Sequence, residues 1–195
     1  MLKILILFSL VFEGCSILDR YPIKDRLTCK NHTFIYVDSI SRSSSLPRAG
    51  IFPVIFDDNI RVSGDYQSSL TASLAQGVLK SGVFPIVEVI QRWEPVIKDE
   101  FFYGNHATLK LARDLGLDIL ILFFYEIEDK RQKIYTKVLD VRRNMTIYYG
   151  LSEIAFKVPW YKVTLEEANV TKRDLTLSTN TQKIAECVVG GFLHN

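Results

Sequence analysis

Apolar residues recur with a helical period in three segments of the chain. In the first segment, Leu70, Leu74 and Val78 follow one another at intervals of four residues, which predicts a helix that ends at Gly82. The second segment, Asn105–Leu115, is also followed by a glycine, as helices often are. The three predicted helices cover residues Tyr66–Ser81, Asn105–Leu115 and Thr179–Leu193.

Short apolar runs rich in β-branched residues lie between these helices and are typical of strands. The predicted strands cover residues 33–38, 50–56, 83–90, 117–124, 134–141 and 146–156. Leu117–Phe124 is so apolar that we expect it at the centre of the sheet, covered on both faces. The order is strand, helix, strand, helix, then a three-stranded meander and a C-terminal helix. It predicts an α/β fold: a single-domain sandwich with a mixed sheet.

The amino terminus has the pattern of an export signal. An apolar run, Ile4–Phe12, follows Lys3 and ends at Glu13. It is too short to cross a bilayer, which takes about 18 apolar residues, so we interpret residues 1–14 as a signal peptide. Gly14 and Cys15 resemble the end of a bacterial lipoprotein signal, and this resemblance implies lipidation, such as palmitate, at Cys15.

The predicted organisation is a signal peptide over residues 1–14, a lipidated tether over residues 15–32 and an α/β domain over residues 33–195. The alternative is an ordinary cysteine near a secretory cleavage site, because Phe12 and Glu13 stand where the lipoprotein pattern usually has Leu and a small residue. With Cys15 set aside, Cys29 and Cys187 remain. They form either a disulfide or two independent buried thiols.

Several segments resemble a recurrent domain of bacterial envelope lipoproteins. They are the strand Ala49–Val54, the helix Leu70–Ser81, the strand Val83–Val89 with Glu88, the helix Leu109–Leu115 with residues 116–122, and the hairpin segment Lys137–Val141. The domain is similar to one shared by the curli-secretion channel lipoprotein, the lipoprotein activators of penicillin-binding proteins and the amino-terminal domain of the Tol-system propeller protein. The resemblance implies a fold for residues 33–195 and an envelope location, and it carries over no functional residue.

The candidate chemistry is limited to one acidic pair. Asp57 and Asp58 follow a predicted strand at the edge where α/β proteins bind ligands, and two carboxylates there suit Mg²⁺ or Ca²⁺. A turn is the favoured alternative, because Asp and the following Asn59 readily hydrogen-bond their own backbone. We therefore expect no metal and no cofactor.

Charge and surface residues indicate the kind of partner. The chain has 24 basic and 22 acidic residues, and its net charge of +2 does not favour nucleic acid. Arg142 and Arg143 at a predicted hairpin tip, with Trp160 and Tyr161, form a candidate interaction surface. The favoured alternative for the arginines is a solvated hairpin, and the alternative for the aromatic residues is packing beneath residues 157–176.

The leading interpretation is a non-catalytic binding or assembly module in the cell envelope. We expect it to be held by its N-terminal lipid, at the outer membrane, facing the periplasm or the surface. Its expected partner is another envelope protein, and a homo-oligomer stays open. The alternatives are a small metal-dependent hydrolase that uses Asp57 and Asp58, and a soluble secreted binding module.

Overall fold

A computed structural model describes residues 26–37, 46–60, 62–91, 96–104, 106–128, 131–157 and 181–191. The strands are β1 (Arg26–Tyr36), β2 (Arg48–Ile51), β3 (Ile55–Phe56), β4 (Ile86–Val89), β5 (Ile119–Glu128), β6 (Arg131–Asp140) and β7 (Met145–Lys157). The helices are α1 (Gly64–Lys80), α2 (Lys98–Tyr103), α3 (His106–Asp114) and α4 (residues 181–191). The predicted α/β class is confirmed.

The strands of the described residues form one mixed sheet in the order β1-β7-β6-β5-β2-β4, and β3 also pairs with β5. β5, β6 and β7 are the predicted antiparallel meander, and β1 is added antiparallel to β7. β2 and β3 run parallel to β5, and β4 runs parallel to β2. β5 therefore lies in the interior of the sheet, and its residues 119–125 are buried, as the apolar run predicts.

Helices cover both faces of the sheet, and alternate residues of β5 point to each layer. On one face, β5 contributes Ile121 to a core with α1 and α4. On the other face, β5 contributes Leu122 to a core with α2 and α3. This two-sided packing is the reason that the run is apolar without alternation.

The helix ends follow local sequence signals. The side chain of Ser63 accepts a hydrogen bond from the N–H of Tyr66 and caps the start of α1. Gly116 has a positive φ of 69° after α3, and the next N–H, of Leu117, bonds to the carbonyl of Ala112. This hydrogen bond belongs to the Schellman motif, in which the residue that follows the helix has a positive φ. Glycine is favoured there because it adopts a positive φ without steric cost.

The predicted strand 50–56 is divided into β2 and β3, and two further elements differ from the sequence prediction. β1 begins at Arg26 rather than at Thr33, so residues 26–32 of the predicted tether pair with β7 in the sheet. The side chains of residues 28–32 are exposed, and the segment therefore lacks the apolar pattern of a buried strand. The second difference is α2, a six-residue helix that is too short to show a helical period. No helix in the described part of the chain is long and apolar enough to cross a membrane.

Candidate functional site

The acidic pair after β3 lies in a turn at the carboxyl edge of the parallel strands. Asp57 Oδ1 accepts hydrogen bonds from the backbone N–H and the side-chain amide of Asn59, at 3.1 and 2.8 Å. Its other oxygen, Oδ2, accepts a hydrogen bond from Lys98 Nζ at 2.6 Å. Both oxygens are thus engaged by donors of the protein itself, and the residues described here contain no group of three or more His, Cys, Asp or Glu side chains arranged to hold a metal ion. This is the geometry of the turn alternative.

The same contacts shift the pKa values of Asp57 and Lys98. The hydrogen bond from Lys98 is the largest cause that lowers the pKa of Asp57 below its ordinary value of 3.8, and the Asn59 N–H adds to it. The same bond raises the pKa of Lys98. The two shifts have one origin, an ion pair that joins the turn to the first residue of α2, and Lys98 also lies 5.4 Å from the ring centroid of Phe124.

Replacing Asp57 by Asn is expected to make the free energy of unfolding fall less steeply as the pH is lowered into the acidic range. The unfolded chain takes up this proton near pH 3.8 and the folded chain takes it up at lower pH. The stabilisation is therefore complete above pH 3.8 and is lost as the pH falls through the folded pKa. At neutral pH the loss should stay below about 1 kcal/mol, because Lys98 is partly exposed.

Urea unfolding of D57N and of the wild type between neutral and acidic pH checks this expectation. Asp58→Asn is the matched control, because Asp58 is an exposed neighbour in the same turn. Equal acid slopes for D57N and the wild type would show that the ion pair does not contribute.

Arg142 and Arg143 lie at the β6–β7 hairpin tip, and each guanidinium has an acidic neighbour. Arg142 pairs with Asp118 at 2.6 Å, and Arg143 contacts Asp140 at 3.6 Å. Both arginine side chains are exposed, so they stay available to a partner. Their role as an interaction surface stays a prediction, and Trp160 and Tyr161 lie outside the described residues.

Asp118 also belongs to a network that sequence reasoning missed. Its Oδ2 accepts a hydrogen bond from the backbone N–H of Arg48 at 3.0 Å, and the guanidinium of Arg48 binds Glu88 at 2.7 Å. These contacts join the hairpin tip to β2 and β4 across the amino end of β5. The only feature of the sequence that could have indicated this network is that charged residues stand within or beside apolar strands.

An aromatic cluster on the α2 face was also missed. Tyr149 and Tyr135 stack with ring centroids 6.4 Å apart, and Phe101 of α2 lies 6.4 Å from Tyr149. Lys137 Nζ donates a hydrogen bond to the carbonyl of Phe101 at 2.7 Å and lies 5.7 Å from its ring centroid. Burial lowers the pKa of Lys137. The carbonyl contact and the ring both stabilise the ammonium, so this lysine ties β6 to α2.

One small cavity lies in the core between the sheet, α1 and α4. Its volume is about 10 Å³, and its lining is apolar apart from Thr136, whose buried Oγ1 has no hydrogen-bond partner among the described residues. One ordered water needs about this volume and two to four polar partners. The cavity is therefore an imperfection of packing rather than a ligand site.

A disulfide joins Cys29 of β1 to Cys187 of α4, with their Cα atoms 5.8 Å apart. This is the first of the two alternatives that the sequence left open. Asn31 Nδ2 donates to the carbonyl of Cys187 at 3.3 Å, beside the bridge. Tyr148 of β7 donates its hydroxyl to the carbonyl of Gly191 at 3.3 Å, so polar contacts and a covalent bond all hold α4 against the β1–β7 edge. Cys15 and the predicted signal peptide lie outside the described residues.

Comparison with known proteins identifies the fold. No protein-family model matches the sequence, and no curated protein matches it. Among solved structures, a PelC dodecamer from Paraburkholderia phytofirmans matches 87% of this chain and 99% of its own, with a TM-score of 0.51 and 8% identity. The chain is similar in fold to PelC.

Two further solved structures align with lower scores. The LpoB C-terminal domain from Salmonella enterica has a TM-score of 0.42 and 10% identity, over 57% of this chain and 84% of its own. Lipoprotein GNA1162 from Neisseria meningitidis has a TM-score of 0.38 and 16% identity, over 66% of this chain and 97% of its own. The match to PelC confirms the predicted α/β fold, and an identity this low shows the fold alone.

Proposed function

We propose that this protein is a lipid-anchored component of a bacterial cell envelope. Its α/β domain binds or assembles with another envelope protein and catalyses no reaction. Export removes residues 1–14, and acyl chains on Cys15 hold the mature protein in the outer membrane. Two or more acyl chains make such attachment stable, whereas one chain binds only marginally.

The disulfide between Cys29 and Cys187 is the observation that carries the proposal. Disulfides form and persist outside the reducing cytoplasm, in the periplasm or beyond. The chain has three cysteines, so the bridge leaves Cys15 as the unpaired one. That cysteine stands three residues after an apolar segment with the pattern of an export signal, where a lipoprotein carries its lipid.

The start of β1 fits an anchor at this position. Arg26 is the first residue of β1, and it follows Cys15 by 11 residues (26 − 15). A fully extended chain of that length spans about 40 Å at most. The sheet would therefore lie close to the membrane surface, in reach of partners in the same membrane or in the adjoining periplasm.

The fold supports a binding or assembly role. PelC, which is similar over nearly its whole length, is a dodecamer, so this architecture is compatible with assembly. Asp57, one of the two carboxylates that would serve a hydrolase, is engaged in a turn and an ion pair with Lys98. The exposed Arg142 and Arg143, together with Trp160 and Tyr161, stay the proposed contact residues for a partner.

Metabolic labelling with a radioactive fatty acid tests the anchor. Label is expected in the wild type and in Ser16→Ala, a matched control that leaves the cysteine in place. Cys15→Ser should carry no label and should migrate as the longer precursor, because processing follows lipid transfer.

Detergent phase partitioning provides the second readout. The wild type should enter the detergent phase, because its acyl chains are apolar. Equal labelling of the wild type and Cys15→Ser would refute lipidation at Cys15. An unlabelled wild type found in the aqueous phase would instead favour a soluble secreted module.

A further inference from the structure

The disulfide of the folded domain joins two cysteines that are far apart in the chain, and a third cysteine lies much nearer to one of them. Cys29 and Cys187 are 158 residues apart. Cys15 precedes Cys29 by only 14 residues (29 − 15). As long as all three side chains are thiols, an oxidising compartment permits a disulfide between Cys15 and Cys29 as well. This chain therefore has one specific wrong pair to avoid.

Loop closure favours the wrong pair in the unfolded chain. The entropic cost of bringing two residues together grows as (3/2)RT ln n, where n is the number of residues in the loop. For loops of 14 and 158 residues, this relation makes encounters of Cys15 with Cys29 about 40-fold more frequent than encounters of Cys29 with Cys187. Before the domain folds, chain entropy therefore opposes the pair that the structure contains.

The folded sheet does not exclude the wrong pair either. Cys29 is exposed, and its strand β1 lies at an edge of the sheet formed by the described strands. Pairing of Cys29 with Ile154 in β7 is a backbone interaction, which does not depend on the partner of the Cys29 sulfur atom. A disulfide between Cys15 and Cys29 is thus compatible with the sheet, and folding alone does not select against it.

The wrong pair would deprive α4 of its covalent attachment. Cys187 is only 6% exposed and belongs to the apolar core that α4 shares with the sheet. Without the bridge, α4 would be held by this core and by noncovalent contacts such as the hydrogen bond from Asn31 to the carbonyl of Cys187. Uncatalysed disulfide rearrangement takes minutes to hours, so an early error is corrected slowly. The competing thiol is best removed before oxidation begins.

We propose that lipid transfer to Cys15 precedes oxidation and thereby directs Cys29 to Cys187. The inference deepens the proposed function, because it rests on the lipidation of Cys15. In the transfer, a bond forms between the Cys15 sulfur and a glyceryl carbon of a phospholipid donor. The C–O bond from that carbon to the phosphate headgroup breaks, and the thiol proton leaves with the headgroup. The product is a thioether, which has no S–H group and does not form disulfides.

Oxidation then acts on a single pair of thiols. The oxidant is the disulfide of a thiol oxidoreductase, which accepts two electrons and two protons from Cys29 and Cys187. One S–S bond forms in this protein, and the S–S bond of the oxidoreductase becomes two thiols. The lipid thus has two roles, since it anchors the chain and removes the thiol that competes for Cys29.

The full-length precursor, produced in cells depleted of the lipid-transfer enzyme, tests this order. Cys15 keeps its thiol in these cells, and Cys15→Ser is the matched control, because it lacks both the lipid and the competing thiol. Thiols are blocked at intervals after a pulse of synthesis, and mass spectrometry of unreduced peptides identifies the disulfides. At the earliest times we expect the Cys15–Cys29 disulfide to exceed the native one by at least about tenfold in the precursor. Cys15→Ser should form the native disulfide alone.

Two results would overturn the inference, and fatty-acid labelling of the wild type distinguishes them. If the wild type is labelled, but the unlipidated precursor forms the native disulfide as fast as Cys15→Ser and keeps Cys15 as a free thiol, only the proposed order fails. If the wild type is unlabelled, the anchor fails and this inference fails with it. A labelled wild type together with a mispaired precursor supports both.

Discussion

Loss of the Cys29–Cys187 bridge is expected to lower the free energy of unfolding by up to about 5 kcal/mol. The bridge closes a loop of 158 residues, and the entropy that it removes from the unfolded chain grows with loop length. It also fixes α4 to β1, two elements at opposite ends of the described chain. A loss this large is comparable with the whole stability of many domains, so the reduced protein should unfold at much lower urea concentration.

Urea unfolding of Cys15→Ser, with and without dithiothreitol, measures this effect. The background removes the third cysteine, and the reduced protein keeps both sulfur atoms, so the difference isolates the covalent link. The double variant Cys29→Ala with Cys187→Ala should match the reduced protein. Thiol counting on the native, unreduced protein should find no free thiol, and two reactive thiols would contradict the bridge.

Truncation of Phe101 to alanine is expected to cost about 3–5 kcal/mol, the usual range for a buried phenylalanine. The ring is fully buried and lies 4.9 Å from Phe102 and 5.7 Å from Phe124, between ring centroids. It also lies beside the ammonium of Lys137. Removal of the ring leaves a cavity next to a half-buried charge, and the aromatic cluster cannot close it, because Phe124 is held in a central strand.

Tyr103→Ala is the matched control for this variant. It removes an aromatic ring from the same short helix, but Tyr103 is 88% exposed, so its loss should change stability by less than about 0.5 kcal/mol. Urea unfolding measures both variants, and the near-ultraviolet circular dichroism of the aromatic cluster should weaken for Phe101→Ala only. Equal stability of the two variants would show that α2 does not pack in solution as described.

The elements that the sequence predicts well are those with a local physical cause. α1 and α3 have apolar stripes of helical period and end near Gly82 and Gly116, which adopt a positive φ. Residues 119–125 of β5 lack polar alternation because both faces of the strand are covered there. One part of the Asp57 turn is equally local, since Asp57 Oδ1 accepts its hydrogen bonds from the backbone and side chain of Asn59.

The features that the sequence does not predict depend on distant partners. The first residues of β1 are polar, and backbone pairing with β7 rather than apolar burial places them in the sheet. Lys98 meets Asp57 across 41 residues, and Arg48 meets Glu88 across 40 residues. No period or spacing within one segment encodes such a contact, because the folded sheet alone brings the two side chains together.

The disulfide also determines how this domain would respond to a pulling force. If the membrane holds the amino-terminal segment and a load acts near the carboxyl terminus, tension passes from Cys29 through the sulfur atoms to Cys187. The 158 residues of the loop lie outside that path, so on the order of 500 Å of chain stays folded under load. While the disulfide is intact, the domain transmits force through a short covalent link. The loop between Cys29 and Cys187 can be extended only after the disulfide is reduced.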